Sequence, residues 1–158
     1  MIKKIIFIDM DGVLVDFGKE LEKMKSESKI PQNLINIPDQ IPNIYKNPPV
    51  FKDAKYAVDK LNSSNIYDLF IATTASWNNP MSFTHKRLWI EKNFGNIFKK
   101  KMFITHRKDL LIGDYLIDDR LANGAKNFQG ELLRFGYDYE RKIWNKYKDW
   151  YSILEKLL

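Results

Sequence analysis

The stretch "IFIDMDGVLVDF", from Ile6 to Phe17, decides how the rest of the chain is read. Its first half is an apolar run with the composition of a buried strand. The run ends in a carboxylate, Asp9, and a second carboxylate, Asp11, follows two positions later. Like charges this close repel, by roughly 4 kcal/mol for a pair ~4 Å apart at an effective dielectric of ~20. Two acids at the end of the most hydrophobic early segment therefore call for a positive partner.

Working outward, the same kind of segment recurs. "KIIFID" (4–9), "DLFIATT" (68–74), "KMFITH" (101–106), "YLIDD" (115–119) and "ELLRF" (131–135) read as short buried strands. Between and after them lie helical patterns. "DAKYAVDKLNSS" (53–64) carries Ala54, Ala57, Val58 and Leu61 at i, i+3, i+4 and i+7. "PMSFTHKRLWIEKNFG" (80–95) has Pro80 near its start and Gly95 at its end. "DWYSILEKLL" (149–158) places Trp150, Ile153, Leu154 and Leu157 on one face. Continuous apolar strands alternating with amphipathic helices indicate a mostly parallel sheet covered on both faces, an α/β class of Rossmann-like, three-layer α/β/α form. The region 26–49 is different. It holds five of the six prolines and many asparagines, and reads as an irregular insert with short helical pieces.

In parallel sheets, ligands bind beyond the carboxyl ends of the strands. Each predicted core strand delivers polar groups to that edge: Asp9 and Asp11, then Thr73 and Thr74, then His106, Arg107 and Lys108, then Asp118 and Asp119. Aspartates also cap helices and turns. Two acidic pairs, each following a buried strand, are better explained by a shared cation. An all-oxygen donor set without His or Cys at ligand spacing favours Mg²⁺ over zinc, and a partly hydrated Mg²⁺ is commonly shared with a substrate phosphate.

These residues carry a resemblance. "DMDGVLVDF", a strand ending in Thr73, then Lys108, then "LIDD" resemble the haloacid dehalogenase-like phosphohydrolase superfamily, whose first motif is DxDGx[TV]. More narrowly, "NPPVFKDAKYAVDKL", the run from "IATT" to "KRLWIEKNFG", and "DYLIDDR" resemble the 5'(3')-deoxyribonucleotidases. The resemblance implies a phosphomonoesterase for (deoxy)nucleoside monophosphates. Asp9 is then the nucleophile that forms an aspartyl-phosphate, and Asp11 the general acid/base. Mg²⁺ is held by Asp9, by Asp11 through its backbone carbonyl, and by Asp119, with Asp118 in support. Thr73, Thr74 and Lys108 bind the phosphate, with Lys86 and Arg107 as weaker candidates. "GDYLIDD" leaves two readings of the last acidic pair, Asp114 with Asp118 or Asp118 with Asp119. The interval from Lys108 leaves room for a short helix and a strand before Asp118, and the form "LIDDR" favours the second pair.

For the base, the resemblance points to Phe17, whose other reading is a core aromatic at a helix start. Tyr45, Trp77 and Phe83 are further aromatics within the same reach. His85 reads as a helix-surface residue and His106 as lying near the site mouth. The expected organisation is a single domain over 1–158, with a reduced, proline-rich cap insert at approximately 17–50.

Composition bounds the alternatives. With 158 residues, 44% of them hydrophobic, the chain can fill one core. The absence of cysteine excludes disulfides and thiol catalysis. No segment approaches the ~20 apolar residues of a membrane span, so a cytoplasmic protein without membrane contact is expected. The net charge of +6 is spread among interspersed acids and bases, with Lys99, Lys100 and Lys101 the longest basic run. That pattern suits a small phosphate substrate more than specific nucleic-acid binding. Nothing in the sequence fixes an oligomeric state. Two other functions compete: a phosphatase for a sugar phosphate or a nucleic-acid phosphate end, and a non-catalytic basic binding module. An intact Asp9-x-Asp11 speaks against the last, which has no need of an acid/base residue.

Overall fold

A computed structural model of the chain describes residues 2–158. Five strands form one parallel sheet: β1 (Lys4–Ile8), β2 (Tyr67–Thr73), β3 (Met102–Ile104), β4 (Tyr115–Asp118) and β5 (Glu131–Arg134), in the order β3-β2-β1-β4-β5. Four α-helices accompany them: α1 (Phe17–Ser26), α2 (Ala54–Ser63), α3 (Met81–Phe94) and α4 (Trp150–Leu157).

Strand alternation divides the apolar side chains between the two faces. Ile6, Ile8, Leu69, Ile71, Ile117 and Leu133 pack on one face with α2, α3 and α4. Phe7, Ala72 and Leu116 pack on the other with Ala125 and Phe128. The connections follow from handedness. Right-handed crossovers toward β3 put α2 and α3 on the first face, and the return toward β5 puts its connections on the second. That second layer is thin. It consists of the connections before and after β4, 105–114 and 119–130, with one 3-10 turn each, Lys108–Leu110 and Ala125–Asn127, and leaves Phe103 43% exposed. The segment expected as a short helix before β4 is the first of these turns.

Residues 27–53 contain two more 3-10 turns, Gln32–Leu34 and Pro38–Gln40. They enclose a separate small apolar cluster of Met24, Ile41, Ile44 and Tyr45, with Phe17 and Leu21 packed against it. Polar contacts tie this segment to the loop after β2 and to α3: Ser76 donates to Asp39, Asn79 to the Asp39 carbonyl, and the Trp89 indole to the Pro48 carbonyl.

One feature has no counterpart in the sequence reading. After β5 the chain forms an antiparallel hairpin, β6 (Tyr137–Asp138) with β7 (Ile143–Trp144). Its base is fastened by Asn145, which donates to the carbonyls of Asp119 and Phe135. From there the chain enters α4, capped by a reciprocal Asp149–Ser152 box. The first residue of α4, Trp150, is 1% exposed, and its indole N–H donates to the Val13 carbonyl at 3.0 Å. The end of the chain thus pins the loop that follows β1. Trp150→Phe keeps most of the ring but orphans that buried carbonyl. It should lower stability by about 1–3 kcal/mol in urea unfolding; unchanged stability would show that the bond does not hold the loop.

Candidate active site

The register of the sheet builds the site. Ile8 pairs with Ile71 of β2 and Ile117 of β4, and the Asp9 N–H donates to the Ile117 carbonyl. Asp9 and Asp118 therefore leave neighbouring strands at the same level. Met10 is buried behind them, so alternation returns Asp11 to the side of Asp9. The chain then turns sharply: the N–H groups of Leu14 and Val15 both donate to the Met10 carbonyl. Gly12 makes the turn possible. Its φ is +76°, and a Cβ there would lie 2.4 Å from Asp119 Oδ2.

Asp9, Asp118 and Asp119 are all buried, and each offers a carboxylate oxygen within 4.8 Å of the others. One ammonium faces them. Lys108 Nζ lies 2.6 Å from Asp118 Oδ2 and 3.0 Å from Asp9 Oδ1, and the residue is 3% exposed. Burial opposes the charge of Lys108, but Asp9 and Asp118 outweigh it and hold the ammonium well above its ordinary range. Burial, reinforced by Asp9, pushes the Asp118 carboxyl up despite Lys108. Burial, with Asp9 and Asp118, pushes Asp119 up further. When ionised, the three carboxylates outnumber the Lys108 ammonium and the Arg120 guanidinium that attracts them, leaving net negative charge for a cation to balance. Asp119 Oδ1 is buried without a hydrogen-bond partner, as a ligand atom awaiting a cation would be. The all-oxygen set fits a hard ion such as Mg²⁺.

The carboxylate of Asp11 stands outside this trio. Its Oδ2 accepts from Lys86 Nζ at 2.5 Å, and its Oδ1 is buried without a partner. Lys86 is 1% exposed, donates also to Thr73 Oγ1 at 3.0 Å, and lies 4.7 Å from the centre of the Tyr45 ring. A small cavity opens between these groups, walled by Asp9, Asp11, Thr74, Lys108 and Asp118, with Arg120 and Asn123 at its rim. Burial opposes the guanidinium charge of Arg120, but Asp119 and Asp9 more than offset it and raise its pKa.

The structure distributes the remaining sequence candidates unevenly. Asp114 lies at the opposite end of β4, where it accepts from the Ile5 N–H, so the acidic pair at the site edge is Asp118 with Asp119. Thr73 is fully buried, its hydroxyl oxygen accepting from Lys86 Nζ; the Thr74 hydroxyl is occupied by the Thr105 carbonyl at 2.8 Å. Phe17 is half-buried, with its ring 5.7 Å from that of Tyr45. Arg107 turns away to pair with Asp109. Trp77 is 77% exposed against His106, and Phe83 is half-buried on α3. His85, read as a surface residue, is buried with Nδ1 unpartnered, because it shares the inward stripe of α3.

The structure adds Arg120 and Asn123 to the cavity lining, and it sets Lys86, a weaker candidate by sequence, against Asp11 and Thr73. A signal for Lys86 existed. It sits three and four residues before Trp89 and Ile90, on the stripe by which α3 faces the interior. Arg120 directly follows the acidic pair in "LIDDR".

Comparison with known proteins gives the family. A family model described as "5' nucleotidase, deoxy (Pyrimidine), cytosolic type C protein" matches residues 3–157. A Vibrio phage KVP40 protein, provisionally named a 5'(3')-deoxyribonucleotidase, is 37% identical over 155 residues, covering 98% of this chain and 85% of that protein. The human cytosolic-type 5'(3')-deoxyribonucleotidase is 26% identical over 140 residues, covering 73% and 70%. Among solved structures, a haloacid dehalogenase-like hydrolase from Streptococcus pneumoniae superposes with a TM-score of 0.65 at 13% identity, covering 99% of both chains. A Bacillus subtilis HAD-hydrolase described as bound to magnesium gives 0.58 at 10% identity, with 99% of both chains covered. The two superpositions concern the fold alone.

The acidic trio makes stability depend on pH and metal together. With its pKa raised in the folded state, Asp119 keeps a proton that the unfolded chain has released. The stability this adds is present at low pH and lost as pH rises through the raised value. A bound divalent cation replaces that proton. The gain in Tm on adding Mg²⁺ should therefore grow from about pH 5 to about pH 8. A gain equal at every pH, or none, would mean that the trio does not hold the ion.

Proposed function

Because the chain belongs to the family of the cytosolic type C 5' deoxynucleotidases, hydrolases of the haloacid dehalogenase-like superfamily, we propose that it removes phosphate from (deoxy)nucleoside monophosphates through an aspartyl-phosphate on Asp9. The observation that carries this reading is the buried trio of carboxylates in excess of the cations that face them, set beside an Asp11 oxygen that has no partner.

In the first step, a carboxylate oxygen of Asp9 forms a bond to phosphorus as the ester P–O bond breaks. Lys108 engages Oδ1 of Asp9, which assigns the attack to the other oxygen. Asp11 passes a proton to the departing nucleoside oxygen. In the second step, Asp11 takes a proton from water as the water oxygen bonds to phosphorus and the Asp9–phosphate bond breaks, releasing inorganic phosphate and restoring both carboxylates. The Thr73 hydroxyl and the Thr74 N–H serve as donors to the phosphate oxygens, and Lys108 neutralises their charge. Asp9, Asp119 and the Asp11 backbone carbonyl, with Asp118 in support, would hold Mg²⁺, which would supply Lewis-acid screening of the phosphate charge. The relative solved with magnesium supports this choice of ion.

The nucleoside end of the substrate is assigned to Phe17 and to the segment of approximately 17–50, read as a reduced cap on a single-domain core. Phe17 already packs on Tyr45, so its ring is presented from a fixed base rather than from a mobile loop. Arg120 lines the small cavity beside Asp9 and Asp11. A cytoplasmic location fits the human relative's cytosolic type, and no helix among the described residues is long and apolar enough to cross a membrane.

A substrate panel tests the proposal: dUMP, dTMP, ribonucleotides, sugar phosphates, a 3'-phosphorylated oligonucleotide and p-nitrophenyl phosphate, each with Mg²⁺. Deoxynucleoside monophosphates should be hydrolysed with the highest kcat/KM, and Asp9→Asn should abolish all turnover. Phe17→Ala should raise KM for nucleotides and leave that for p-nitrophenyl phosphate unchanged. Turnover surviving in Asp9→Asn, or a preference for sugar phosphates, would refute the reading.

A further inference from the structure

Buried lysines are uncommon, and this chain has two at one site. Lys108 answers the acidic trio. Lys86 does not belong to that charge balance: it comes from α3 and touches Asp11 and Thr73 instead. We propose that Lys86 is a positioning residue, which fixes Asp11 by one oxygen and Thr73 by its lone pair so that the free oxygen and the free hydroxyl proton of these two groups face the substrate. The inference rests on the roles given above to Asp9 and Asp11.

The atoms support this assignment. An ammonium only donates, so both contacts fix the acceptor side of their partners. Asp11 Oδ2 is engaged by Lys86, whereas Oδ1 is buried and has no partner. Oδ1 is thereby the oxygen left to exchange a proton with the leaving group and then with water. Thr73 Oγ1 accepts from Lys86, so its own hydroxyl proton is directed elsewhere. Thr74 lacks this freedom, because its hydroxyl is given to the Thr105 carbonyl. One lysine thus orders the acid/base and the phosphate donor that serve the same reacting group.

Tyr45 completes the arrangement. Its ring lies over Lys86 Nζ, is 5% exposed, and belongs to the apolar cluster of the segment after β1. A cation against an aromatic face is held there while water is kept out. Burial, together with the nearby Asp11 carboxylate, keeps the Tyr45 phenol protonated, so the ring is a neutral cover. The insert thereby reaches the chemistry through Lys86 rather than through a side chain of its own.

The test compares leaving groups. Lys86→Met keeps the stem and removes the charge. With dUMP, whose leaving oxygen needs a proton, kcat should fall about 100-fold while KM changes little, the scale of a misplaced catalytic group. With 2,4-dinitrophenyl phosphate, whose leaving group needs no proton, the variant should show a burst of dinitrophenolate slowed far less than kcat falls with dUMP, the slowing being what an unoriented Thr73 costs. A slow steady phase should follow, because attack by water still requires an oriented Asp11. Added ethylammonium should accelerate the steady phase of Lys86→Ala, and Lys86→Arg should recover part of the dUMP activity. Equal losses of burst and steady phase on both substrates, with no rescue, would reduce Lys86 to a structural role and overturn the inference. A raised KM with kcat retained would make it a phosphate ligand and overturn it equally. Asp9→Asn should show no burst at all; a burst there would instead remove the nucleophile assignment on which the inference stands.

Discussion

The burial of three carboxylates against one lysine is the constraint on which the rest of this structure depends. Asp9, Asp118 and Asp119 are each less than a tenth exposed, and Lys108 compensates one of their charges. Removing carboxylates from water is costly unless they are paired or bind a metal. The surrounding fold is organised to hold them in place. Parallel register sets Asp9 level with Asp118, Gly12 removes the Cβ that would strike Asp119, and Asn145 and Arg134 both donate to the Asp119 carbonyl. Trp150 clamps the Val13 carbonyl from the far end of the chain. The hairpin β6–β7, which adds little core, makes sense as the strut that carries Asn145.

Two buried lysines with different partners divide the electrostatics of the site. Lys108 bridges the nucleophile and the acidic pair. Lys86 serves the acid/base and the strand-two threonine. They arrive from separate elements, a 3-10 turn and a helix. The segment after β1 contributes by packing Tyr45 over Lys86. A short, proline-rich insert can thus take part in the site without supplying a charged residue.

Much of this was legible in the sequence, and the limits have physical causes. The strands were readable because a parallel sheet buried on both faces demands continuous apolar runs, as in 4–8 and 67–73. α2 and α4 were readable from their apolar stripes. The choice between Asp114 with Asp118 and Asp118 with Asp119 was harder, since both acidic stretches follow apolar residues and only strand pairing tells which end of β4 each occupies. Lys86 and His85 were misjudged because a helix stripe that turns from apolar to polar at its site end looks like a solvated face. The sequence left Thr74 open to act by hydroxyl or by N–H, because a hydroxyl's direction depends on a carbonyl distant in sequence, that of Thr105 just beyond β3. The hairpin was hidden because two-residue strands carry too little pattern to detect.

The most direct test of the central claim is anomalous diffraction from crystals grown with Mn²⁺ in place of Mg²⁺. The account predicts one strong peak per chain at the carboxyl edge of β1 and β4, within coordination distance of both Asp9 and Asp119. A peak elsewhere, or carboxylates that remain paired to lysines with no ion between them at saturating Mn²⁺, would contradict it.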